Sequence, residues 1–281
     1  MENIKRYIRN NPRKSAVIGV YLLIFLSSVF VFHFTASMLI LIYLIATMAV
    51  LLALRASALA VLGNYLYITG KTEKGIKFLK MAIDMNTPSP NAYINYSVFL
   101  ARGGRGDEAL AYLSKALEKN PDILAMKNIE LTSASCHWLL GRPEKARDIL
   151  EGMRGKYEYV NAQVLTTLGY MYFVLKDYEK ALEFSNLALE DTPSLGAAWD
   201  NLGQIYLSQG KKGEAKDAFT KAIENKSDLP DSLYYLGLIA KDEGEAEKAR
   251  SFFLEALACG ITALNTVKRE QIENALASLS I

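Results

Sequence analysis

Histidine is almost missing from this chain. Only His33 and His137 occur in 281 residues, and neither has a partner at the three- or four-residue spacing of a helical metal site. Cysteine is equally rare. Cys136 and Cys259 stand far apart, outside any Cys-x-x-Cys pattern, which excludes a disulfide framework and a zinc site. Two isolated cysteines in helical segments read as small apolar residues, compatible with a reducing compartment. Cys136 and His137 are neighbours, but adjacent helical residues point about 100° apart and do not pair. An excess of one charge is also lacking. Of 32 basic and 30 acidic residues, five basic and one acidic precede Ser15, leaving 27 against 29 from Arg55 onward. Without a basic face to displace counterions, nucleic-acid binding is excluded. Ser208-Gln-Gly-Lys211 and Gly103–Gly106 fall in turns between helices, and no strand precedes them to build a phosphate loop. No catalytic set, cofactor or metal is expected, so the chain reads as a non-enzyme.

The sharpest absence is local. From Ser15 to Leu54, forty residues contain no Lys, Arg, Asp or Glu. One straight helix of that length would be about 60 Å long, twice the ~30 Å of bilayer hydrocarbon. Two spans fit better, with the turn near residues 33–37, where His33, Thr35 and Ser37 bring polarity. A cleaved signal, or one span with the other half on the surface, are the competing readings. The first run is long for a signal and a second comes directly after it. Five cations precede the first run; Arg55, Lys71, Lys74, Lys77 and Lys80 come after the second. The positive-inside tendency then leaves both chain ends in the cytoplasm, making an integral membrane protein whose hairpin meets lipid. Residues 1–14 form a basic cytoplasmic segment and 15–54 the hairpin. Ala46, Ala49, Ala53, Ala56, Ala60 and Gly63 recur at alternating spacings of three and four. No Pro or Gly interrupts the path from Ser37 to Leu62, which predicts one continuous helix to about Ile68, with a bend near Arg55–Ser57 as the alternative. Continuity would hold the later helices at a fixed attitude to the bilayer.

After Arg55 the sequence repeats. A turn, a charged stretch, a small residue and an apolar helical stripe recur, with the small residue at Gly75, Ala109, Ala146, Ala181, Ala215 and Ala249. Four of the five steps are 34 or 35 residues; the fifth is 37 and marks an insertion around Ile123–Lys127. Each unit is preceded by another helix, with Leu-Gly at 62–63, 168–169, 202–203 and 236–237. Trp199, Leu202, Gly203, Tyr206, Ala215, Phe219 and Ala222 fall in phase, as do Leu168, Gly169, Tyr172, Ala181, Ala188 and Pro193. On these residues the chain resembles the tetratricopeptide repeat family. The unit at 124–161 departs most, lacking Leu-Gly and ending in two glycines. The resemblance implies an all-α fold: six helix–turn–helix repeats over 55–263, stacked as a right-handed superhelix behind the transmembrane hairpin. Residues 264–281, with Ile272, Leu276 and Leu279 on one side, are expected to form a C-terminal capping helix.

The resemblance also implies a concave groove lined by the first helix of each repeat. Carried over by position, its residues are Asn64 and Tyr67, then Asn95, Val98 and Arg102. Later repeats add Gln163, Thr166, Tyr170 and Phe173, then Asp200, Asn201 and Gln204, and lastly Asp231 and Tyr234. Chaperone-binding members clamp a terminal carboxylate with Lys, Arg and Asn here. This sequence keeps Asn64, Asn95 and Asn201 but substitutes Asp200 and Asp231 for cations, which disfavours such a clamp. The expected partner is a protein or peptide segment rich in amide and basic groups. The expected function is a membrane-anchored scaffold at the cytoplasmic face. The alternative is a structural subunit of a membrane complex, with the hairpin contacting a membrane-protein partner.

Overall fold

The computed structural model describes residues 12–30, 36–225 and 228–279, and every regular element among them is an α-helix. The N-terminal residues through Asn11 and the turn containing His33 lie outside the described residues. The chain divides into two compact units, Met1–Ala92 and Tyr93–Ile281.

The first unit holds α1 (Pro12–Phe30), α2 (Ala36–Ile68) and α3 (Thr72–Asp84). Pro12–Lys14, expected in the basic tail, already belong to α1. Helix α2 is continuous over its 33 residues, but its two halves, Met38–Leu52 and Leu54–Ile68, are bent by 48°. The expected continuous helix is present, and it bends between Leu52 and Leu54, a few residues before the Arg55–Ser57 position given as the alternative. Among the described residues no single helix is long and apolar enough to cross a membrane; the two halves of α2 pass that test together. Below Arg55 the small-residue seam receives α3. Ala56 and Ala60 are buried. A methyl group on Gly63 would sit 2.8 Å from Leu79, and one on Gly75 2.6 Å from the Tyr67 amide. The two backbones approach so closely that only glycine fits at either place.

The second unit is built from α5 (Gly106–Leu117), α6 (Ile123–Leu139), α7 (Pro143–Lys156), α8 (Ala162–Val174), α9 (Tyr178–Asp191), α10 (Gly196–Ser208), α11 (Lys212–Asn225), α12 (Pro230–Asp242), α13 (Ala246–Ala258) and α14 (Arg269–Ala277). Helix α4 (Pro90–Arg102) begins just before it and supplies Tyr93–Arg102. Pairs α6–α7, α8–α9, α10–α11 and α12–α13 pack as helical hairpins. Tyr96 of α4 meets Tyr112 of α5 edge to face, 4.9 Å between centroids. The small residues named from the repeat, Ala109, Ala146, Ala181, Ala215 and Ala249, are fully buried where the helices of a pair cross. Turns within the repeats share one device. Gly70, Gly104, Gly141, Gly210 and Gly244 close the first helix at φ 70–83°, where a left-handed residue lets the next amides return to the last free carbonyls. In the α8–α9 turn that place falls to Lys176, at φ 63°.

The irregular repeat is helical too. The inserted residues lengthen α6 to 17 residues, against 13 in α8, α10 and α12. Asp122 caps the added turn by accepting the Ala125 amide at 2.8 Å. The extended stretch after α7 is tied down in place of a proline. Tyr159 donates its hydroxyl to Asp191 (2.8 Å), whose other oxygen takes the Ala162 amide (3.1 Å).

The C-terminal cap is shorter than the segment expected. Helix α14 covers Arg269–Ala277, with Ile272 fully buried against a cluster containing Phe253 and Leu233. Residues 264–268 are not part of it. Asn265 accepts the Thr262 amide at 2.8 Å in a local turn. The Lys268 amide then donates to Gln271 at 2.7 Å and starts the helix.

Candidate functional site

Helices α8, α10 and α12 each open a repeat. Their facing sides carry polar residues that the repeat's own packing does not require. Pro230 occupies the first turn of α12, where its missing N–H costs nothing. Asp231 comes next, at the helix end where a carboxylate is favoured. Asp200 stands in the preceding repeat, on α10. Both are buried.

The Asp200 carboxylate accepts from Ser232 of α12 through Oδ1, and from Gln204 Nε2 at 2.7 Å through Oδ2. Asn201 donates its amide to the Thr166 carbonyl of α8 at 2.8 Å. The Thr166 hydroxyl returns to the Ala162 carbonyl at 2.8 Å. These bonds stitch three successive repeats side to side. Burial, and then the neighbouring Asp231 charge, push the Asp200 carboxyl up to about 7, and the bonds from Ser232 and Gln204 only partly offset this. Burial also raises Tyr235, to about 12, with the Asp200 and Asp231 charges adding to the effect. Tyr170 is raised for the same first reason, with Asp231 next.

Aromatic rings flank the carboxylates. Tyr170 lies edge to face with Trp138 of α6, 5.4 Å between centroids, and tilts against Phe173 at 6.1 Å. Tyr235 stacks on Phe219 at 5.2 Å. Tyr234 meets Tyr235 at 5.4 Å and Phe253 at 6.0 Å.

The Asp231 carboxylate does not face open solvent. It accepts the Val267 amide at 2.7 Å and the Thr266 hydroxyl through Oδ1, and the Asn265 side-chain amide at 2.6 Å through Oδ2. Four residues earlier, the Ala263 amide donates to the Arg102 carbonyl at 2.8 Å. Ala263 and Val267 are therefore at most about 15 Å apart along the chain. The end of α4 and the start of α12 are drawn within that short reach by one segment.

The structure thus brings Thr166, Tyr170, Asp200, Asn201, Gln204 and Asp231 into one site, with Phe173 and Tyr234 at its aromatic margin. Gln163 is exposed on α8, and Arg102 is exposed at the end of α4. Asn95 and Val98 are half-buried on α4. Asn64 and Tyr67 belong to the first unit, where both are half-buried. Trp138, Ser232, Tyr235 and the 261–267 segment were missed from sequence. Trp138 and Tyr235 carried a faint signal, being large aromatics on first helices of repeats. The segment carried none, because its contacts are to residues far away in the chain. No group of His, Cys, Asp and Glu among the described residues is arranged to hold a metal. Cys136 is fully buried, which raises its thiol to about 11. Burial lowers the neighbouring His137, helped by Lys145 and Arg142. Neither resembles an activated nucleophile or base.

Comparisons with known proteins agree with this architecture. In Candida albicans the peroxisomal targeting signal receptor is 21% identical over 213 residues, covering 70% of this chain and 35% of the receptor. A tetratricopeptide repeat-containing protein of Methanocaldococcus jannaschii is 25% identical over 169 residues, covering 58% of this chain and 30% of its own. The chain thus spans about a third of the length of these relatives. Among solved structures, a tetratricopeptide repeat protein from Parabacteroides merdae superposes with a TM-score of 0.64 at 16% identity, over 81% of this chain and 85% of that one. Family models described as tetratricopeptide repeat match residues 61–122, 100–158, 160–228 and 201–263. With the repeat phase, the glycine-closed turns and the paired helices all in register over that stretch, the chain belongs to the tetratricopeptide repeat family.

Proposed function

We propose that this protein is a non-enzymatic scaffold that binds a segment of a partner protein on the first-helix face of its second unit. Members of this family are typically scaffolds for protein–protein contact, and one relative named above is by name a receptor for a targeting signal. The observation that carries the reading is the Asp231 site. It holds a non-helical stretch of polypeptide by an amide, a hydroxyl and a carboxamide, the donors any peptide ligand offers. Exposed Gln163 and Arg102 are the residues we assign to first contact, with Asn95, Phe173 and Tyr234 completing the wall; Asn64 and Tyr67 are assigned to a contact surface of the first unit by itself.

We further propose that α1 and α2 form the membrane hairpin, with both chain ends in the cytoplasm. Support comes from large apolar side chains left uncovered. Leu23, Ile40, Leu44, Ile45 and Leu51 are each exposed by 60% or more, beyond what a water-facing helix pair usually leaves uncovered. Anchoring would confine the array to one leaflet and raise effective concentration, so a modest affinity would suffice.

A second reading rests on those same exposed side chains: the hairpin itself docks onto a membrane protein and the array is structural. Photo-crosslinking residues placed at Gln163 and at Leu23 in the native membrane separate the two. Partner adducts at Gln163 support the scaffold; adducts at Leu23 alone overturn it. Protease added to sealed cells is expected to spare the C-terminal unit, and digestion there would refute the orientation.

A further inference from the structure

The stretch between the last repeat and α14 is built like a ligand rather than like a linker. Gly260, exposed and with free space around it, marks its start. Ile261–Thr266 are half-buried, and Val267 is fully buried among the core side chains under α14. Between these ends the segment is held at two separate places. The Ala263 amide is on the Arg102 carbonyl, while Asn265 and Thr266 are on the Asp231 carboxylate. Lys268 Nζ clamps the Ala263 and Asn265 carbonyls from behind, at 3.2 and 2.8 Å. The polar grip on the array is therefore three donors wide, and apolar anchors hold both ends: Val267 is buried in the cluster under α14, and Ile261 packs half-buried against the same cluster.

We propose that Thr262–Thr266 is a displaceable strap, an internal ligand pivoting between the apolar anchors Ile261 and Val267. A partner segment gains the first-helix face by evicting it. This rests on the docking reading above and adds both a gate and a recognition rule. With Val267 still seated, eviction frees one oxygen-rich carboxylate edge and one backbone carbonyl. A buried carboxylate that keeps only the Val267 amide and loses its other two donors is costly, so the incoming segment must replace them. The occupant that fits carries a hydroxyl and a carboxamide on adjacent residues, with a backbone N–H two residues before the carboxamide, as Ala263-Leu-Asn265-Thr266 does. A segment rich in aspartate and glutamate is rejected, because Asp231 and Asp200 lie side by side.

The test uses the full chain and a fluorescent synthetic peptide of the Gly260–Lys268 sequence. In N265A/T266V the two side-chain donors are gone while Asp231 remains. Removing them is expected to raise the open fraction by roughly 10- to 100-fold. Hydrogen exchange at the Ala263 amide should accelerate accordingly, and the free peptide should bind at least about tenfold more tightly than to the parent. A263P, which removes only the N–H to Arg102, is the second opening variant and leaves both Asp231 donors in place. Adding D231N to either is expected to abolish the gain. Unchanged exchange at the Ala263 amide in N265A/T266V and at the Leu264 amide in A263P, or equal peptide binding by parent and opened chains, overturns the strap. Tighter peptide binding by the opened chains without any partner adduct at Gln163 sinks the docking reading instead, so the two failures are distinguishable.

Discussion

Replacing Gly203 by alanine should destabilise this protein, although alanine is the better helix former. Gly203 lies inside α10. A methyl group there would stand 2.5 Å from two ring carbons of Phe219 and 2.8 Å from a third. Ordinary carbon–carbon contact is about 3.5–4.0 Å, so the ring would have to withdraw by about 1 Å. It has nowhere to go: Phe219 is fully buried and stacked on Tyr235. Overpacking of this kind costs about 1–3 kcal/mol, while the helix-propensity gain returns about 1 kcal/mol. A net loss of up to about 2 kcal/mol results. Gly152 supplies the control. It is exposed in α7, with no atom within 4 Å of the added methyl. G152A should therefore gain about 0.5–1 kcal/mol from the same chemical change. Urea unfolding monitored by far-UV circular dichroism gives both signs. Because repeat arrays open locally, exchange of the α10 and α11 amides should show the loss concentrated there. Relief of the clash by F219L in the G203A background would appear as a favourable coupling in the double-mutant cycle. If G203A matches or exceeds the parent, or if both substitutions shift stability in the same direction, the close-approach argument fails.

Two other outcomes are expected from the site and the turns. Burial, with the Asp231 charge beside it, pushes the native Asp200 carboxyl up to about 7, whereas an unfolded aspartate titrates near 3.9. Between those values the folded chain keeps a proton that the unfolded chain has lost, so this group's contribution falls as pH rises through about 4 to 7 and is level above. Melting temperatures from pH 5 to 8 should therefore fall more steeply for the parent than for D200N, and equal slopes would refute the buried-acid assignment. Lys176 holds a left-handed conformation that five other repeat turns give to glycine. K176G should stabilise by about 0.5–1 kcal/mol in urea unfolding, and a loss would mean that the lysine side chain makes up for its backbone.

Much of this architecture was legible because its causes are local. An apolar stripe at helical period, a glycine that closes each first helix and an alanine where two helices cross all recur within one 34-residue unit. Phase alone therefore placed Ala109 through Ala249 in the core. The family resemblance, carried over position by position, put Thr166, Tyr170, Asp200, Asn201 and Gln204 on one face. It failed where a residue's state depends on what arrives from elsewhere. Asp231 read as an open groove position, yet its carboxylate is already engaged. The 264–268 stretch read as helix from its continuity with Ile272 and Leu276, but Thr266 and Val267 have partners on α12 that outweigh a further helical turn.

The chain order alone determined the repeating unit and its pairing, since each depends on side chains a few residues apart. Only the tertiary structure decided that Ala263 reaches Arg102 and that three donors close over Asp231. Those contacts depend on the small rotation from one repeat to the next, summed over several repeats, and no short window of sequence carries that sum.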